Sequence, residues 1–131
     1  MTAIDTLIRD LEGETEGSRE LDANIWMTSV PGTTRKQWSY IHKASGKECF
    51  IDETREASGA LIVVPHYTTS LDAKVPGENI VEMNRDEDKW YAWHESKLGK
   101  LFMGAAYTEI LARRIAGLRG IMAAAEKETK R

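Results

Sequence analysis

The sequence predicts an α+β domain in which a mostly antiparallel sheet carries flanking helices. Three observations lead there. Apolar residues recur with helical spacing at the two ends of the chain. Aromatic and β-branched residues alternate with polar ones through its middle. Gly- and Pro-containing turns separate these stretches at short intervals. A length of 131 residues favours a single domain over residues 1–131, long enough to bury a core without staples.

The elements follow in order. Ile4, Leu7, Ile8 and Leu11 make one stripe on a first helix, and residues 1–16 read as an extra N-terminal helical segment closed by two glycines and three carboxylates. Ser18 is an N-cap, with Glu20 and Asp22 near the positive end of the dipole of a second helix, about Ser18 to Ser29. Leu21, Ile25 and Thr28 share its inner face, with Trp26 and Met27 to the sides. Arg19 at the start of that helix is mildly disfavoured by the dipole and needs a partner such as Asp22 or a ligand. Trp38, Tyr40 and His42 alternate with Ser39, Ile41 and Lys43 as a strand. Ser45-Gly46-Lys47 turns it into a return strand from Glu48 to Ile51. Leu61 to Val64 reads as a third strand, ended by Pro65, which has no N–H for a ladder.

Pro65 to Ala73 is the stretch around which the chain is organised. Thr68, Thr69 and Ser70 favour helix initiation, and Asp72 three places after Thr69 completes a capping box. A short helix is expected here, cut by Pro76-Gly77. Its N-terminal amides can bind an anion or simply be capped. Ile80 to Met83 and Lys89 to His94 form a second strand pair around a charged turn. Leu101 to Met103 adds an edge strand. From Thr108 the last helix carries Leu111, Ile115, Leu118 and Met122 on one face, with Gly117 and Gly120 small enough for a strand or helix to approach closely. Residues 127–131 read as a frayed charged tail.

Composition narrows the function classes. A net charge of -3 argues against nonspecific nucleic-acid binding. No apolar run spans a bilayer, so no membrane partner is expected, and a single cysteine, Cys49, fits a reducing cytoplasm. His42, His66 and His94 lack metal-ligand spacing, no nucleophile or phosphate-loop motif occurs, and neither a catalytic set nor a cofactor is expected. Four Trp and four Tyr are many for this length. They serve as sheet core or as a stacking platform. Adjacent Arg113 and Arg114 cannot both face the core, and an arginine fork suits phosphate or carboxylate.

Three segments carry a resemblance. Gly17-Ser18-Arg19-Glu20-Leu21-Asp22-Ala23, Tyr67-Thr68-Thr69-Ser70-Leu71-Asp72-Ala73 and the Thr-led, alanine-rich helix from Thr108 resemble, in that order, the phage ABA sandwich domain family of small bacteriophage and prophage proteins. The resemblance implies a three-layer α/β/α sandwich and a phage origin in a bacterial host cell, and supplies no chemistry. Pro76 shortens the middle helix relative to the family, and Arg113 and Arg114 depart from its small apolar last helix.

The function expected first is therefore a non-enzymatic sponge that sequesters a nucleotide-type immune signal to block antiphage defence. Trp38 and Tyr40 would stack the base. The turn of Tyr67, Thr68, Thr69 and Ser70, with Arg113 or Arg114, would hold phosphate, and His66 and Arg19 complete the expected ligand-binding set. Enclosing such a ligand favours a homo-oligomer. The alternative is a protein–protein inhibitor or adaptor with Trp and Tyr as anchors. The third is a nucleotide hydrolase using His66.

Overall fold

A computed structural model describes residues 3–129, with side chains described through residue 124. Three helices and five strands follow one another as α1 (Ala3–Gly13), α2 (Arg19–Ser29), β1 (Thr34–Ile41), β2 (Glu48–Arg55), β3 (Ile80–Asp86), β4 (Lys89–Glu95), β5 (Leu101–Ala106) and α3 (Glu109–Thr129). The α+β class, the antiparallel strands and the flanking helices are as the sequence predicts. The strands form two separate sheets, a two-stranded β1–β2 hairpin and a three-stranded sheet in the order β3-β4-β5.

The core lies where the helices meet the three-stranded sheet. α3 packs across β4 and β5, and α1 packs on α3 and α2. The α1 stripe is buried at Leu7, Ile8 and Leu11. In α2, Ser18 is the N-cap, its hydroxyl accepting the Leu21 N–H at 3.1 Å. Trp26 is buried beside Leu21 and Ile25 instead of sitting at the side of the stripe, because α2 buries a wide arc. Leu111, Ile115 and Leu118 of α3 are fully buried, as their spacing predicts. α3 approaches the sheet closely through glycine. A Cβ on Gly104 would lie 2.3 Å from the Ala112 carbonyl, and one on Gly120 would lie 2.5 Å from the His94 ring. Nothing larger fits at either crossing.

Alternation sorts the two faces of the three-stranded sheet. Ala92, His94, Gly104 and Ala106 point toward α3 and are buried. Tyr91 pairs with Asn84 and Ala105, and Trp93 with Glu82 and Met103, on the opposite face. The Tyr91 and Trp93 rings neighbour each other there at 6.5 Å.

Two expected elements do not form. Leu61 makes one isolated bridge to Arg55, and Ile62 exchanges a single backbone bond with Thr54, so residues 61–64 are no third strand. Leu61 and Val63 are exposed, because no layer covers them. The helix expected after Thr69 is a series of turns. The carbonyls of Ser70 and Leu71, which a helix would use for its own N–H groups, are taken by Arg114. A tertiary donor overrides the local propensity. The tail expected at 127–131 is helical through Thr129, and residues 130–131 lie outside the described residues.

Candidate functional site

The organising turn is sealed by its own chain. Asp22, fully buried on α2, accepts the Thr68 N–H at 2.8 Å and the Thr68 hydroxyl at 2.7 Å on one oxygen. Its other oxygen takes Arg19 at 2.8 Å, the partner that Arg19 requires at a helix start. The Thr68 hydroxyl in turn accepts the Ser18 N–H at 2.9 Å. Gly17 permits this seam, since a Cβ there would stand 2.4 Å from the Thr68 carbonyl. From the other side Arg114, wholly buried on α3, donates to the carbonyls of Tyr67 at 2.8 Å, Ser70 at 2.7 Å and Leu71 at 3.1 Å. It also pairs with the buried Glu78 carboxylate at 2.5 Å.

Burial pushes the Glu78 carboxyl above its ordinary range despite Arg114, and its Oε1 has no hydrogen-bond partner among the described residues. Burial likewise raises the Tyr67 hydroxyl.

Each predicted phosphate ligand can now be placed. The Thr68 amide is spent on Asp22, and the Thr69 and Ser70 amides on the His66 carbonyl. The Thr69–Asp72 capping box is not formed, because no helix follows. The Tyr67 ring is buried in the core. His66 and Thr69 are exposed, and Ser70 is half-buried. Arg19 reaches back to the Val64 carbonyl at 2.7 Å. Arg113 pairs with Glu109 one turn away at 2.9 Å. Trp38 and Tyr40 are elsewhere, on the β1–β2 hairpin. The structure therefore brings Arg19, Thr68, Ser70 and Arg114 together, and uses them to hold backbone.

The hairpin is the part of the fold left unburied. Among the described elements β1 and β2 pack substantially only on each other. Trp38 is 44% exposed, Tyr40 47%, Ile41 62% and Phe50 79%. The register sets these side chains on both faces of the ribbon. Trp38 sits opposite Ile51 and Tyr40 opposite Cys49 on one face, while Ser39 sits opposite Phe50 and Ile41 opposite Glu48 on the other. A hollow of about 420 Å³ between Gln37, Trp38, Ser39, Phe50, Ile51 and Asp52 lies along the ribbon. At the base, Arg35 clamps the hairpin to α2. Its guanidinium bonds both Glu20 oxygens, at 3.1 and 2.8 Å, and both Asp52 oxygens, at 3.0 and 2.7 Å. Those hydrogen bonds hold both carboxyls below their ordinary range and raise the arginine.

Comparison with protein-family models, with curated proteins and with solved structures gives no match.

The residues that sequence reasoning passed over are Asp22 as the acceptor for Thr68, Glu78, and Phe50. Asp22 and Glu78 carry no local signal of burial. Phe50 did carry one. Cys49-Phe50-Ile51 places apolar groups on both sides of a strand whose partner already bears Trp38 and Tyr40 on one, a pattern that a sheet with one buried face does not need.

Proposed function

We propose that this protein is a non-enzymatic binding protein that acts on another protein through the β1–β2 arm, with Phe50 and Ile41 as its contact anchors. One observation carries the reading: an aromatic, two-faced ribbon stands clear of the body that supports it. Large exposed aromatics on a fixed scaffold are what dominate protein interfaces. The resemblance to a phage family supports a phage origin and a bacterial host protein as the target class.

Protein contact fits this geometry better than capture of a nucleotide does. Tight retention of a small ligand needs a concave site that encloses most of its surface. The arm offers an open ribbon, and the arginine expected to grip phosphate is occupied by three carbonyls and Glu78. The test is affinity capture from bacterial lysate with the wild-type chain and with Phe50→Asp, paired with calorimetry against cyclic nucleotides. Stoichiometric recovery of one protein by the wild type, lost in the variant, is expected. Micromolar nucleotide binding that leaves Phe50→Asp unaffected would overturn the reading.

A further inference from the structure

The arm has a second apolar face, and the body has an apolar face that its own helices leave uncovered. We infer that these two surfaces belong together in a dimer: the Trp38–Tyr40 face of one copy's arm seats on the outer face of the β3–β4–β5 sheet of a second copy, and the reverse. The inference rests on the reading of the arm as a contact element and names the occupant of the face opposite Phe50.

Four properties of the two surfaces match. The first is stability. A lone two-stranded hairpin is marginal in water, and one with apolar side chains on both faces is more so. The arm needs a surface, and its own body holds it only near its base, through Arg35 to Glu20 and through Thr54 and Arg55 to residues 61–62, among the described residues.

The second is fit. Each arm strand has 8 residues, and the strands of the outer sheet have 7, 7 and 6. At about 3.3 Å per residue these are ribbons of about 26 Å and about 20–23 Å, so one covers the other end to end.

The third is charge. The Trp38–Tyr40 face carries Lys36 opposite Glu53, Arg55 at its base and Lys47 at its tip, so cations outnumber carboxylates on it. The outer sheet face carries Tyr91 and Trp93 on its central strand and Leu101 and Met103 on the β5 edge, and around them Glu82, Asp86 and Glu95 outnumber Lys89. Aromatics meet aromatics and ammonium groups meet carboxylates. The Phe50 face, where Arg35 is already paired with Asp52 and Glu48 adds a further carboxylate, lacks that match.

The fourth is area. One face of a two-stranded ribbon of this length presents about 400 Å² of accessible surface, and each copy would contribute an arm face and a sheet face. That is about 800 Å² per partner, the size of a specific interface. The contact is isologous, so it closes at two copies. The Phe50 faces are left outward on both arms, which makes the assembly bivalent toward its target.

The test is the mass of the full-length chain by light scattering at high micromolar concentration. The wild type is expected at twice 14.7 kDa. Trp38→Glu/Tyr40→Ser, an arm-face variant, and Leu101→Glu/Met103→Glu, a sheet-face variant, each change only exposed side chains. Each alone is expected to weaken self-association about 100-fold or more and run at 14.7 kDa, with unchanged circular dichroism. Mixing the two variants restores one of the two arm–sheet contacts and is expected to raise the mean mass above that of either variant alone.

A monomeric wild type, variants that stay dimeric, or a mixture that stays monomeric would overturn the inference. A monomeric wild type that still captures its target through Phe50 would end the dimer and leave the arm's proposed function standing. A dimer with Phe50-independent capture would do the opposite.

Discussion

Replacing Arg114 with alanine removes a group that does two jobs at a buried point. It leaves the Glu78 carboxylate, whose side chain is 1% exposed, without its hydrogen-bonded counter-charge, and it strips the donor from the Tyr67, Ser70 and Leu71 carbonyls. Breaking a buried pair from one side costs roughly 3–5 kcal/mol, because the surviving charge stays out of water. A domain of this size has roughly 5–15 kcal/mol in total. With a urea slope of roughly 2 kcal/mol/M, the midpoint falls by about 2 M. The penalty has a pH signature. Burial raises the Glu78 carboxyl above its unfolded value, so the native state binds the proton more readily, and stability from this group declines as pH rises through the folded value. Without Arg114 that tendency strengthens, so the deficit of Arg114→Ala relative to wild type shrinks on acidification. Arg114→Lys, which keeps the charge and loses the planar fork, falls between the two. Urea unfolding followed by circular dichroism at neutral and mildly acid pH measures all three chains. A midpoint shift under about 0.5 M, or a deficit that grows in acid, would refute the clamp argument.

Three further outcomes are expected. Gly17→Ala forces a Cβ to within 2.4 Å of the Thr68 carbonyl and opens the α2 seam, costing about 1–3 kcal/mol in the same urea assay. His94, whose Nδ1 accepts the Asn79 N–H at 2.9 Å, is held below its ordinary 6.5 by burial. Its neutral form is the native one, so its contribution is complete above pH 6.5 and is lost as pH falls from there toward the lower folded value; subtracting the profile of His94→Gln from that of wild type isolates this loss. Arg35→Ala releases the base of the arm from α2, so hairpin amides exchange with deuterium faster by mass spectrometry, while global stability falls by only about 1 kcal/mol because the Glu20 and Asp52 carboxylates, 64% and 46% exposed, stay solvated without it.

What could be read in the sequence was what local chemistry decides. The Leu7–Leu11 and Leu111–Leu118 stripes, the Ser18 cap and the Ser45-Gly46-Lys47 reversal all depend on neighbours a few residues away, and all are present. What went astray depends on partners far along the chain. Thr68 looked like a capping residue because its hydroxyl suits that role, yet its acceptor is Asp22, 46 positions earlier. Arg114 was recognised as a fork, but the oxygens it grips are this chain's own carbonyls and Glu78. The Leu61–Val64 run has strand composition and no sheet to join. The aromatic excess was visible, but its division was not: Trp26 on α2 and Tyr67 in the turn join the core, while Trp38, Tyr40 and Phe50 lie on a hairpin that no helix covers.

The seam between Gly17–Asp22 and Thr68 has a consequence for how this chain can change. It fastens together two points that bracket the entire hairpin, so residues 30–60 form a closed excursion whose feet are fixed by this seam as well as by the Arg35 and Thr54 bonds at its base. Selection can therefore rewrite, lengthen or trade that excursion while the remaining scaffold keeps its shape, much as an exchangeable tool sits in a fixed handle.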